Sequence, residues 1–137
     1  MKLAIIGSRA YTNRNRVEHT INKYVERYGV ENLEIISGGC PNGGDFLAKD
    51  IALSKNLKYI EFPPIHSKYN CYCIHPPEEY NQPYHVSNFF SRNTQIAEYC
   101  EHLAAFVVDG VKANGTMDTV AKATKLNKII FLWEDKK

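Results

Sequence analysis

The chain has 137 residues, of which 44% are hydrophobic and 23% charged, with a formal net charge of +2. That is the length and composition of one soluble domain able to bury a core, and the charge is too small to mark a nucleic-acid or membrane-binding surface. No apolar run approaches the roughly 20 residues of a membrane span. Residues 1–7 reach glycine before a signal-peptide core is complete, so a cytoplasmic protein is expected.

The first apolar run, residues 3–6, is rich in β-branched side chains and reads as a strand. Gly7, Ser8 and Arg9 follow it. Glycine permits a sharp turn and close ligand approach, the Ser8 hydroxyl can hydrogen-bond, and the Arg9 fork suits phosphate. Val17, Ile21, Tyr24, Val25 and Tyr28 then share one helical stripe, which Gly29 stops.

Residues 33–36 read as the second strand. The loop after it, 37–45, opens with Ser37, Gly38 and Gly39 and closes with Gly43, Gly44 and Asp45. A plain turn needs one or two glycines, so this loop fits a phosphate or sugar cradle better. Asp45 can accept bonds from ribose hydroxyls or simply favour the N-terminus of its own helix, which is expected over 46–54. Residues 59–62 read as the third strand.

Residues 63–85 break the alternation. Pro63, Pro64, Pro76, Pro77 and Pro83 forbid a regular helix or a central strand, and Tyr69, Tyr72, Tyr80 and Tyr84 run among them. The segment is either a surface excursion packed by its own aromatics or a wall whose tyrosine rings stack on a base. Cys71, Cys73 and His75 are grouped within it, but their spacing is not that of a zinc knuckle. The four cysteines are expected to be free thiols, with no metal site and no cofactor.

A third helix is expected over 86–101 and carries Arg92 and Asn93. Residues 104–108 read as the fourth strand. Asp109 and Gly110 follow, then Asn114, Gly115 and Thr116 lead into a helix over 116–125. Residues 129–133 complete the strands, with Trp133 a core or interface residue. Five apolar runs alternating with helices imply a single α/β domain over 1–137, a three-layer Rossmann-like sandwich with a parallel sheet. Three glycine-bearing turns lie at strand carboxyl ends, where open parallel sheets bind their ligands.

These turns, with Arg92-Asn93 and Gly115-Thr116, resemble the SLOG superfamily, and most closely its small bacterial and phage members. That group includes cytokinin-activating phosphoribohydrolases, a DNA-processing protein and sensor domains for ADP-ribose-type signals. The resemblance implies a nucleotide-related ligand held by Gly7, Ser8, Arg9, Ser37, Gly38, Gly39, Gly43, Asp45, Arg92, Asn93, Asn114, Gly115 and Thr116. It also implies a homo-oligomer. The phosphoribohydrolase pattern calls for lysine where Asn93 stands and for glutamate where Thr119 stands. Asp118 is the nearest carboxylate, but it leaves the helix about 100° from Thr119.

Three functions follow as expectations. The first is a protein that binds a nucleotide or nucleotide-derived molecule without turnover. Such a protein would sense an ADP-ribose-type or cyclic nucleotide signal or sequester it, as a viral countermeasure to host defence would. The second is an N-glycosidase acting on a nucleoside monophosphate with Arg92 and Asp118 as its catalytic pair. The third is a single-stranded DNA binder, which the near-neutral charge disfavours. Arg92 has a bland alternative in a surface ion pair with Glu98. His66, His75 and His85 read as solvated loop histidines, and His19 and His102 as exposed or element-edge positions.

Overall fold

A computed structural model describes residues 1–136. The strands are β1 (Lys2–Gly7), β2 (Glu34–Ser37), β3 (Lys58–Glu61), β4 (His102–Val108) and β5 (Ile129–Asp135). The helices are α1 (Arg14–Tyr28), α2 (Gly43–Ser54), α3 (Ser87–Tyr99) and α4 (Asn114–Lys125), with one-turn 3-10 segments at Val30–Asn32 and Pro77–Glu79. All strand pairs are parallel, and the sheet order is β3-β2-β1-β4-β5. The five strands and the Rossmann-like α/β class are those expected from the sequence.

The strand alternation distributes the core over two faces. Leu3, Ile5, Ile35, Ala104 and Phe106 pack with Val17 and Ile21 of α1 and Ala48 and Ile51 of α2. Ala4, Ile6, Ile36, Leu103 and Ala105 pack with Ile96 and Ala97 of α3 and Ala123 of α4. The chain therefore leaves β1 toward one side of the sheet and returns through β4 to the other. β1 and β4 are neighbours whose following segments diverge, which opens a crevice at their carboxyl ends.

Two expectations shift in detail. Helix α2 begins at Gly43 rather than at residue 46, because Gly43 takes φ 73° and turns the chain straight into the helix. β5 is not buried on both faces: Ile129, Phe131, Leu132 and Trp133 are each 38–53% exposed. An apolar run marks a strand but not what covers it, and α1 lies over β1 and β4 rather than over β5. Trp133 accordingly sits outside the core, with the Arg16 guanidinium 5.0 Å from its ring centre.

The 63–85 segment covers the outer edge of β3. Glu61 donates its N–H to the Tyr72 carbonyl at 3.0 Å, and Cys73 bridges to Glu61 as a short parallel pair. Tyr80 is buried, while Tyr84 is largely exposed and packs against His66. An unpaired β3 edge would be open to other chains, and this excursion closes it.

Candidate functional site

The crevice holds a cavity of about 470 Å³, within the range of roughly 300–1,000 Å³ usual for small-molecule sites. Three loops and one helix face build it. β1 contributes Gly7, Ser8 and Arg9; the loop after β2 contributes Gly38, Cys40 and Asp45. Helix α3 contributes Val86, Phe89, Phe90, Arg92 and Asn93, and the segment after β4 contributes Lys112, Asn114, Gly115 and Thr116.

The β1 turn is fixed by backbone bonds on each side. Ser8 donates its N–H to the Phe106 carbonyl at 2.9 Å, and its own carbonyl accepts from Tyr11 at 3.1 Å and Gly44 at 3.3 Å. This close approach of the first two loops requires glycine at position 43. A Cβ there would overlap the Ser8 carbonyl and lie 2.6 Å from the Arg9 Cα.

Asp45 is buried and spends Oδ2 on the loop that precedes it, accepting from Gly38 N–H at 3.2 Å and Cys40 N–H at 3.4 Å. Burial raises its carboxyl above the usual aspartate range, against the opposing pull of the Arg92 guanidinium and the loop N–H groups. Arg92 in turn donates through Nη1 to the Gly38 carbonyl at 2.6 Å and the Phe62 carbonyl at 3.4 Å, and through Nε to Asn93 Oδ1 at 3.0 Å. Desolvation lowers its pKa, but an arginine keeps its charge. It does not pair with Glu98. Its Nη2 takes no part in these bonds and is not among the buried polar atoms left without a partner.

The far wall is the start of α4. No side chain caps this helix, and the residue before it is Ala113. The residues of its first turn, Asn114, Gly115 and Thr116, line the cavity beside Lys112, at the positive end of the helix dipole. Arg9, Arg92 and Lys112 supply positive charge around the space, while Asp45 is the single carboxylate among the lining residues. Phe89 and Phe90 add aromatic surface, with the Arg92 guanidinium 5.9 Å from the Phe89 ring centre.

Of the residues singled out from the sequence, Gly7, Ser8, Arg9, Gly38, Asp45, Arg92, Asn93, Asn114, Gly115 and Thr116 converge on this space. Ser37, Gly39 and Gly43 lie behind it. The Ser37 hydroxyl is buried against Tyr59 and accepts from Gly39 N–H, which makes it a brace of the loop. Asp118 also falls outside the lining: its Oδ2 accepts from Lys122 at 2.9 Å and from Asn93 at 3.1 Å. That bond, together with Asn93 to Gly115 O at 3.3 Å, ties α3 to α4. Thr119, where a phosphoribohydrolase carries glutamate, is buried and bonds back to Gly115 O at 3.1 Å.

No residue of the 63–85 segment lines the cavity, so the tyrosine wall considered from the sequence is not there. Phe89, Phe90 and Lys112 were the residues sequence reasoning missed. The signal was present: adjacent aromatics on a helix point about 100° apart, so they cannot both face the core. Among the described residues no group of three His, Cys, Asp or Glu side chains is placed to hold a metal. Cys71 is exposed, Cys73 donates to Asn70, and His75 faces Glu79. No helix among them is long and apolar enough to cross a membrane.

Comparison with known proteins adds to this geometry. The model of the YspA, cpYpsA-related SLOG family matches residues 1–69, half of the 137-residue chain. Among solved structures, the fold is similar to the molybdenum cofactor binding protein from the phototrophic bacterium Rippkaea orientalis. The TM-score is 0.68 at 17% identity, covering 98% of this chain and 76% of that one. It is also similar to the molybdenum cofactor carrier protein from Chlamydomonas reinhardtii, with a TM-score of 0.64 at 18% identity over 96% and 74% of the two chains. Comparison with curated proteins found no match.

Proposed function

This chain belongs to the YspA, cpYpsA-related SLOG family, and from that premise we propose that it binds a phosphate-bearing, nucleotide-derived small molecule without turning it over. One observation carries the reading. At the point where β1 and β4 part, Arg9, Arg92 and Lys112 surround a cavity that also receives the uncapped N-terminus of α4. Positive side chains beside free helix N–H groups favour an anion, above all a phosphate. Phe89 and Phe90 offer flat surface to a planar ring attached to it.

The absence of turnover rests on where the carboxylates go. Cleaving an N-glycosidic bond develops positive charge on the sugar, which calls for a carboxylate at the reacting carbon. Asp45 is committed to the N–H groups of Gly38 and Cys40, and Asp118 to Lys122 and Asn93. Two structural neighbours named for binding or carrying a cofactor are in keeping with a fold used to hold small molecules.

The test is calorimetric titration with ADP-ribose, AMP and pyrophosphate, followed by denaturation and recovery of the ligand. Saturable binding with ligand returned intact is the expected result, weakened about tenfold by Arg9→Ala or Lys112→Ala, as loss of one charge-assisted contact implies. Recovery of a free base would replace this reading with an N-glycosidase. Binding indifferent to both substitutions would remove the site.

A further inference from the structure

The two edges of the sheet are treated differently. The β3 edge is closed by the chain's own excursion through Tyr72 and Cys73. β5, at the other end of the sheet order, has no further strand beside it among the described residues. Its apolar side chains are half bare, Ile129 53%, Phe131 44% and Trp133 38% exposed on one face of the sheet and Leu132 49% on the other. Natural edges are usually blunted by charge, proline or a bulge. Between Ile129 and Trp133 β5 has none of these.

We propose that the β5 edge is a self-association surface, on which β5 of a second copy pairs antiparallel about a two-fold axis through Phe131. The register follows from the sequence. A two-fold axis normal to the sheet keeps each face with itself, so each residue meets one of the same face. With Phe131 opposite Phe131, Ile130 meets Leu132 and Ile129 meets Trp133. Every apolar side chain then faces another.

The ends of the strand complete the pattern, because the same register sets Lys128 of each copy opposite Glu134 of the other. Lys128 directs Nζ to the carbonyls of Glu98 and Cys100 and forms no ion pair with another described residue. Glu134 forms no ion pair with another described residue. Shifting either strand to the next face-matched register places Lys128 against Leu132, or Glu134 against Ile130. Both leave a charge facing an apolar side chain, so the first register is selected by charge complementarity.

The backbone agrees. Asp135 gives its carbonyl to Asp109 N–H at 2.7 Å, on the β4 side. Successive residues of a strand point their N–H and C=O groups to opposite sides, so Ile130 and Leu132 present theirs outward. In the proposed register these two residues face each other across the axis and exchange both bonds. The central Phe131 pair is then the non-hydrogen-bonded kind, whose side chains approach most closely.

Light scattering of the purified chain at several hundred micromolar tests this. The expected mass is twice the 15.7 kDa of one chain. Phe131→Glu sets two carboxylates against each other and is expected to return the single-chain mass with an unchanged circular dichroism spectrum. Under dissolved oxygen, which takes up the two electrons and two protons of the paired thiols, Phe131→Cys is expected to form a disulfide joining residue 131 of the two copies, mapped by mass spectrometry, whereas Ile129→Cys alone is not. A wild-type chain that stays at the single mass overturns the proposal. So does a dimer that persists in Phe131→Glu, or a Phe131→Cys protein that forms no such crosslink. The crosslink decides the matter if Phe131→Glu fails to fold.

Discussion

Arg92 reaches from α3 to the carbonyl of Gly38 at 2.6 Å, so the loop after β2 is held in place by a residue 54 positions later in the chain. The same guanidinium offsets the charge of Asp45, whose carboxylate holds the N–H groups of that loop from within. An arginine at a ligand cavity is commonly read as a ligand contact. Here most of its hydrogen bonds shape the cavity, and the Nη2 group is what it has to offer a ligand.

Replacing Arg92 with methionine therefore removes three protein hydrogen bonds and leaves a buried carboxylate without its counter-charge. Stability is expected to fall by about 2–4 kcal/mol. Urea denaturation checks this. Arg92→Lys is expected to recover only part of the loss, because an ammonium carries charge but not the planar fork. A loss under about 0.5 kcal/mol, ordinary for a surface substitution, would mean the loop stands without this brace.

A second consequence concerns pH. Tyr24 OH lies 2.7 Å from His102 Nδ1 and stays protonated, since burial pushes the phenol up to about 12. Burial also lowers the His102 pKa below its ordinary 6.5. Between the lowered folded value and the unfolded one, the unfolded chain binds more protons, so stability rises with pH across that window. It is fully present above about 6.5 and is lost as pH falls through the folded value. Melting curves from pH 5 to 8 should show this decline, with a slope of at most about 1.4 kcal/mol per pH unit for one proton. The decline should flatten in His102→Gln.

The contrast between Asp118 and Arg9 separates binding from architecture. Asp118 clasps α3 to α4 through Asn93, pairs with Lys122 of its own helix, and does not line the cavity. Asp118→Ala is expected to lower the melting temperature by a few degrees, as about 1 kcal/mol does in a chain this size. Ligand affinity should stay within about twofold. Arg9 is exposed at the cavity mouth and forms no ion pair with a described residue, so Arg9→Ala should do the reverse. Equal effects of both substitutions on affinity would show that the clasp and the site are one unit.

The fold was legible because its signals are local and repeated. Residues 3–6, 33–36 and 104–108 are continuous β-branched or apolar runs, and Val17, Ile21 and Tyr24 mark one face of α1. The convergence of Gly7, Gly38, Arg92 and Gly115 was also readable, since a parallel sheet brings its carboxyl ends to one rim. What composition does not encode is which neighbour covers a surface. Ile129–Asp135 resembles β4 in sequence yet lies bare, because burial depends on whether a helix crosses above it. The tyrosines after Pro63 suited a base-stacking wall and a self-packed surface excursion alike, and the Glu61–Tyr72 backbone bond is what lays that excursion along the β3 edge. The role of Asp45 likewise turned on a bond to its own loop rather than on residue type.

Two glycines that read alike in the sequence are expected to respond in opposite ways. Gly43 has φ 73° and backbone atoms of Ser8 and Arg9 where a side chain would begin. Alanine there combines a left-handed backbone with a backbone collision, so Gly43→Ala should cost about 3 kcal/mol or more and separate the first two loops. Gly115 lies in the first turn of α4 with nothing within 4 Å of the position a Cβ would take. Gly115→Ala is therefore expected to leave the fold intact, or to stabilise it by up to about 1 kcal/mol through helix propensity. The added methyl would occupy the anion-facing end of the cavity, so phosphate-bearing ligands should bind at least tenfold more weakly. Denaturation and titration of the two variants side by side separate these roles. A Gly115→Ala protein that keeps both its stability and its affinity would mean that ligands do not approach the α4 N-terminus.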